Sequence, residues 1–454
     1  MKKMKRVMGL ALSCALAAGL AGCGGGGGGA GTTAGNTVTE APKEESGSAM
    51  ARTEPLLEEP VTIKFANYAI LEAGYTEFWE GVKSGFETQY PNITIEWVTA
   101  PYGEIVNQVI NMAGGGDRVD LLFGEIGWVP TLEDSGLSVP VDTILSKEFL
   151  DDFYPNVLAG HNINGTPYGV PLYVSPYVLY YNKDLFEKAG LDPDSPPATY
   201  DEMLIMAEKL SQLKTDDGNK VYAFGQTTAS VAVSGSSLTG MVYNFGGHVL
   251  NDDGELDTNN QGMTDAFTMI KLLDEKGYNP QNAKLKDLRN LFALGQLAMY
   301  YDQSWGFNGV QSINPEAGTF TASAAPLSGG SGEGHSILQS HCLMLMDNGD
   351  SQKEAVRLLV EYISTEEVLN DYMAHVTPAY PARKSMSDMD AVVNNDVLKG
   401  AASSIDKALA TPFIPSMNDL NLELCTLAQA VTIGKKPVEE GIADFAKTAQ
   451  ALTD

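Results

Sequence analysis

Hydrophobic and polar positions alternate along this chain with periods that change at recognisable points. Val61 to Phe65 reads as a strand; Trp79, Val82, Phe86 and Tyr90 then recur at helical spacing until Pro91 ends the run. Ile93, Ile95 and Trp97 alternate with Thr94 and Glu96, the pattern of a half-buried strand. A second helical stretch, Ile105 to Met112, leads through Gly114-Gly115-Gly116 into the apolar strand Val119 to Phe123. Strands alternating with helices predict βαβ units, a mainly parallel sheet, and a ligand site at the carboxyl ends of the strands. Those ends carry Asn67 and Tyr68, then Glu125, Gly127 and Trp128.

From Tyr173 to Tyr181 the chain is rich in Val, Tyr and Leu and reads as a buried strand, but Pro176 interrupts it. Proline has no N–H for a sheet ladder, so this position predicts a junction. Asn182 and Asp184 cap a short helix, with Glu187 as the partner of a capping box and Gly190 as the stop. Thr199 and Glu202 form a second capping box before a helix whose apolar face is Met203, Met206, Ala207 and Leu210. A further α/β region runs to about residue 330, with a Met263, Phe267, Ile270, Leu273 helix face. The tail from Ser351 is mostly helical, ending in the Ile442, Phe445, Ala446, Ala449 face.

The first 59 residues belong to no such pattern. Lys2, Lys3, Lys5 and Arg6 precede an apolar run, Val7 to Leu20, of signal-peptide length. Leu20-Ala21-Gly22-Cys23 resembles a bacterial lipobox, which implies a signal peptide over 1–22, lipidation of Cys23, and attachment to the membrane through acyl chains alone. Residues 23–59, beginning with six glycines after Cys23, have the composition of a disordered tether spanning roughly 30 Å. The formal charge of −29 argues against nucleic acid as a partner. Cys342 and Cys425 are expected as buried free thiols.

Candidate chemistry is defined first by elimination. The five histidines have no HExxH spacing, no Cys/His cluster suggests a metal, and no nucleophile elbow or phosphate loop is present, so neither cofactor nor metal is expected. Asn251-Asp252-Asp253-Gly254 reads as a polar hairpin turn. What remains is aromatic residues beside polar ones: Tyr68, Trp128, Tyr173, Tyr177, Tyr243 with Asn244, and Trp305 near Asp302. A sugar presents an apolar C–H face and a rim of hydroxyls, and aromatic plates flanked by fixed hydrogen-bonding groups suit both.

The segments GGGDRVDLLFGEIGWVPTLEDSGLSVPVD, YGVP, YYNKDLFEKAGLDPDSPPATYDEM, YNFGGHVLNDDG, LFALGQLAMYYDQSW and YPARKS, in this order, resemble the extracellular solute-binding proteins of family 1, the sugar-receptor subunits of bacterial ABC importers. The resemblance covers roughly residues 60–450. It implies an α/β fold of the two-lobed type II periplasmic-binding kind, with a hinge and an interlobe ligand cleft. The first lobe would hold 60–173 and 340–377, the second 177–334 and 382–454, with crossings near Tyr173 to Tyr177, Ser336 to Ser340 and Pro378 to Ala382. It further implies an exported, monomeric protein that is not an enzyme, lipid-anchored on the outer face of the bacterial cytoplasmic membrane, with permease subunits as partners. Asn67, Tyr68, Glu125, Trp128, Tyr173, Tyr177, Tyr243, Asn244, Asp302, Trp305 and Arg383 become candidate ligand residues, with Trp305 in the position expected to stack on sugar. Near Pro415 to Leu424, where some maltose-binding relatives carry another aromatic plate, this chain has Met417, Asn418, Leu420 and Leu422. A polyol, glycerol phosphodiester or peptide ligand is the alternative within the fold, and a surface glycan-degrading enzyme the alternative outside it.

Overall fold

Alternation builds the first sheet. In strand β1 (Val61–Asn67) the side chains of Val61, Ile63 and Phe65 are buried while Thr62 is exposed. Strands β2 (Ile93–Val98) and β3 (Leu121–Glu125) pair parallel to β1 on either side. Helix α1 (Thr76–Gln89) connects β1 to β2 and buries Trp79, Val82 and Phe86; α2 (Ile105–Gly114) connects β2 to β3 and buries Ile105 and Val109. Each such aromatic, removed from water, contributes about 2–3 kcal/mol before entropy is counted. This computed structural model describes residues 59–453 except 73, 252, 253, 413 and 415. The expected signal peptide, the expected lipidation site at Cys23 and all but the last residue of the expected tether lie outside the described residues.

The later strands are β4 (Val170–Val174), β5 (Tyr177–Asn182), β6 (Tyr222–Gly225), β7 (Leu297–Gln303), β8 (Thr321–Ala324), β9 (Ser336–Ile337), β10 (Ser340–Leu345), β11 (Tyr380–Pro381) and β12 (Ala408–Leu409). Two larger sheets take up all but β9 and β12, which pair parallel with each other in a separate two-stranded sheet. The six-stranded sheet has the order β11-β4-β10-β3-β1-β2 and the four-stranded sheet β8-β5-β7-β6. Both are mixed, which corrects the expectation of a mainly parallel sheet. Strand β10 runs antiparallel to β3 and β4, and β5 antiparallel to β7 and β8. The physical reason is connectivity: β10 is joined to neither β3 nor β4 by a βαβ crossover but arrives from β9, which lies outside this sheet, so nothing imposes a parallel direction on it.

The chain leaves the first sheet at Ser175-Pro176, returns to it between β9 and β10, and leaves it again after β11. Proline 176 therefore stands at the junction its missing N–H predicts. Hydrogen bonds lace these passages together. Ser336 Oγ donates to the Tyr177 carbonyl at 2.7 Å, Ser340 Oγ to the Tyr173 carbonyl at 3.1 Å, and the Ser175 amide to the Gln339 carbonyl at 2.8 Å.

Local capping follows the sequence with small shifts. Asn182 Oδ1 accepts from the Leu185 amide at 3.0 Å, so Asn182 is the cap of helix Lys183–Lys188, and no Asp184–Glu187 box is needed. Thr199 Oγ1 accepts from the Glu202 amide at 3.1 Å at the start of α3 (Tyr200–Leu210), while Glu202 takes the Ala198 amide, one residue earlier than in a capping box. Beyond it lie α4 (Ala232–Asn244), α5 (Gln261–Glu275), α6 (Leu285–Ala293), α7 (Gly306–Ile313), α8 (Asp350–Ile363), α9 (Glu366–His375), α10 (Met417–Thr432) and α11 (Val438–Thr453). Met203, Leu238, Met263, Leu424 and Phe445 share one core among α3, α4, α5, α10 and α11. Helices α4 and α10 touch backbone to backbone: a Cβ on Gly235 would lie 2.1 Å from the Asn421 carbonyl oxygen.

Candidate functional site

Strand order in the first sheet lines up a column of rings. Tyr173 on β4, His341 on β10, Phe123 on β3 and Tyr68 just beyond β1 come from adjacent strands, so their side chains follow one another at strand spacing. Centroid separations are 5.2, 5.3 and 5.9 Å with ring planes 20–27° apart, and Tyr372 of α9 extends the column beyond Tyr173 at 4.7 Å. At its far end Tyr68 meets Trp128 edge to face at 5.6 Å. Trp128 lies close over Gly124 of β3: a Cβ there would fall 2.2 Å from the indole. Glycine at 124 therefore sets how deeply the indole seats.

Polar groups at this end are held by burial and short bonds. The Tyr68 hydroxyl is 2.8 Å from His341 Nε2, and burial pushes the imidazole below its ordinary value, which keeps the pair neutral. Tyr102 donates to Glu125 Oε2 at 2.9 Å. Burial raises the Glu125 carboxyl and the Tyr102 bond offsets part of that rise. His341 Nε2 stands 4.0 Å from the other Glu125 oxygen.

Beside this cluster opens a cavity of about 680 Å³, within the roughly 300–1,000 Å³ typical of small-ligand sites. Its walls come from the end of β3 and the segment after it (Glu125 to Pro130), residues 159–163, helix α4 (Ser236, Thr239, Tyr243), Val249, Leu250 and Gly254, the β9–β10 link (Leu338, Gln339), residues 410–412 and Ile414, and Met417, Asn418, Leu420 and Asn421 of α10. Glu125 is the one Asp, Glu, Lys or Arg among the described residues that line it.

Of the residues singled out from sequence, Glu125, Trp128 and Tyr243 line this cavity. Tyr177 is buried and is not among the residues that line it. The others are placed elsewhere, for identifiable reasons. Asn67 is buried and its Oδ1 accepts the Ala69 amide at 2.9 Å. Tyr68 belongs to the ring column, as does Tyr173, whose hydroxyl bonds Tyr372 at 2.6 Å. Asn244 is buried against the Tyr200 hydroxyl. Asp302 is fully buried and held by Arg289 at 2.6 and 2.7 Å, by the Gln303 amide and by Tyr300; burial pushes its carboxyl up while Arg289 draws it down. Trp305 is 39% exposed at the start of α7, with the Arg289 guanidinium 4.6 Å over its ring. Arg383 is pinned to Asp152 at 2.8 Å and to the Ser364 carbonyl at 3.0 Å.

Several cavity residues escaped the sequence reading, among them His161, Asn162, Ser236, Thr239, Gln339 and Asn421. One signal was available. Asn164 and Gly165 both have positive φ and turn the ladder between Asn162–Ile163 and Thr166–Pro167, the Asn-Gly hairpin signature. Met417, Asn418 and Leu420, noted for what they lacked, do form part of the wall. Cys342 and Cys425 are buried free thiols. Among the described residues no group of three His, Cys, Asp or Glu could hold a metal ion, and no helix is long and apolar enough to cross a membrane.

Comparison with known proteins agrees with this architecture. A Brucella abortus (strain 2308) chain named only as a binding protein is 25% identical over 381 residues, 83% of this chain and 89% of its own length. The maltodextrin-binding protein MdxE of Bacillus subtilis (strain 168) is 22% identical over 390 residues, 82% and 87% of the two chains. The crystal structure of the cyclic alpha-maltosyl-1,6-maltose binding protein from Arthrobacter globiformis superposes with a TM-score of 0.75 at 19% identity, covering 87% of this chain and 99% of that one, a likeness of fold. The family model of the bacterial extracellular solute-binding proteins matches residues 83–400, and the chain belongs to that family.

Proposed function

We propose that this protein is the substrate-binding lipoprotein of a bacterial ABC importer and that it captures a neutral sugar or oligosaccharide in the 680 Å³ cavity. The observation that carries the reading is the wall chemistry. Trp128 and Tyr243 supply apolar plates, while Ser236, Thr239, Gln339, Asn418 and Asn421 supply uncharged hydrogen-bonding groups. A phosphodiester or other anion needs cations, and no Lys or Arg is among the described lining residues. That weighs against the glycerol phosphodiester alternative and leaves a linear polyol as the nearer one.

In this reading 60–173 with 340–377 and 177–334 with 382–454 act as two lobes that close on ligand about the three serine-laced passages. Ligand shifts the equilibrium because each lobe alone offers half a site. Trp305, exposed and outside the cavity, is the ligand candidate whose contact depends on closure. Cys23 carries the lipid anchor on the outer face of the membrane, the monomer docks on permease subunits, and no bond of the solute is broken. Titration calorimetry with neutral mono-, di- and trisaccharides and linear polyols, followed by analysis of the recovered ligand, tests this. Binding near micromolar, about 8 kcal/mol, with ligand unchanged supports it, and turnover contradicts it.

A further inference from the structure

Buried polar side chains in folded proteins nearly always have partners, so an unpartnered one in a cavity wall asks what it is kept for. Asn421, on the second turn of α10, is 8% exposed, lines the cavity, and its amide bonds to no described residue. Its backbone is fixed by the close crossing over Gly235 of α4. Gln339 lines the same cavity from the β9–β10 link. Its backbone carbonyl is held by the Ser175 amide at 2.8 Å, yet its side chain likewise has no partner among the described residues.

We infer that Asn421 and Gln339 are the specificity-determining amides of the site, each reading a vicinal diol of an uncharged polyhydroxylated ligand. This rests on the solute-receptor reading above. A primary amide offers an acceptor oxygen and a donor nitrogen side by side, and adjacent ring hydroxyls offer the complementary pair, so one amide closes two hydrogen bonds with one diol. A carboxylate would supply acceptors alone and a guanidinium donors alone. Placing one amide on α10 and the other on a passage between the sheets means that a bound diol ligand spans a packed helix and the hinge. The recognition chemistry of the C-terminal helix then lies in amides, where an aromatic plate was the family expectation.

The test is calorimetric binding of maltotriose, trehalose and mannitol, with sn-glycerol 3-phosphate as the anionic comparator, to the wild-type chain and to Asn421→Leu, Asn421→Asp and Gln339→Leu. Thermal denaturation checks folding, and the near-isosteric Asn421→Asp serves if Asn421→Leu does not fold. The expected result is that whichever neutral probe the wild type binds is bound about tenfold or more weakly by each variant, with sn-glycerol 3-phosphate unbound throughout. Variants that bind that probe within twofold of wild type would remove the two amides and leave the receptor reading standing. A wild type that binds only sn-glycerol 3-phosphate overturns the neutral-diol assignment, and one that binds no probe counts against the receptor reading itself.

Discussion

Ser304 Oγ lies 2.9 Å from Ser175 Oγ and donates to the Pro378 carbonyl at 3.0 Å, so one buried hydroxyl ties together two passages between the sheets. Because the single Ser304 proton goes to Pro378, Ser175 is the donor in the serine pair. Tyr180 fixes the same residue from behind, its hydroxyl donating to the carbonyls of Gln303 and Ser304 at 2.9 and 3.0 Å. A node of this kind couples any movement at Pro176 to movement at Pro378.

Ser304→Ala leaves the Ser175 hydroxyl and the Pro378 carbonyl buried without this partner, and is expected to cost about 1–3 kcal/mol in urea denaturation. Ser175→Ala on top of it should cost much less than the sum of the two single changes, because the unpaired hydroxyl is then gone. Additive costs would mean that the two serines act independently.

Gly124→Ala places a Cβ where the Trp128 indole now lies. The indole must rise off β3, which is expected to destabilise the fold by about 1–3 kcal/mol and to weaken ligand binding together with stability. Tryptophan fluorescence should shift with the substitution; an unchanged spectrum and affinity would show that Trp128 does not depend on that seat.

Arg289 and Asp302 are a bidentate pair whose carboxylate is fully buried. Arg289→Met strands that carboxylate and should cost about 3–5 kcal/mol, whereas Arg289→Met with Asp302→Leu should recover most of the loss. Equal losses in the single and double variants would contradict this account of the pair.

His161 gives a pH dependence with a definite sign. Its Nδ1–H donates to the Val157 carbonyl at 2.8 Å, Nε2 is buried without a partner, and burial lowers its pKa from 6.5 to about 4. Between those values the unfolded chain binds the proton and the folded chain does not, so stability falls as pH drops from 6.5 towards 4, by up to about 3 kcal/mol. The difference in unfolding free energy between wild type and His161→Gln should therefore shrink across that window; a constant difference would mean His161 titrates normally.

Legibility differed between fold and site, for physical reasons. Helix faces such as Met263, Phe267, Ile270 and Leu273 were visible because burial imposes a 3.6-residue period, and the junction at Pro176 because proline lacks an N–H. Direction of pairing was not visible: nothing local in Ser340–Leu345 tells that it enters antiparallel between β3 and β4. Among the residues that line the cavity, Glu125 and Trp128 were legible because strand ends are where an α/β fold is expected to open a cleft. Asp302 and Arg383 look equally chemical in sequence, and only the positions of Arg289 and Asp152 reveal that their charges are spent internally. Asn421 was missed because an amide on an apolar helix face has no sequence signature until α4 and the cavity are placed beside it.

Small-angle X-ray scattering of the chain from residue 59 onward, with and without a saturating saccharide identified by calorimetry, tests the central claim most directly. The account predicts a smaller radius of gyration in the bound form and a saccharide recovered intact. Unchanged scattering at full occupancy, or a saccharide recovered as cleavage products, would contradict it.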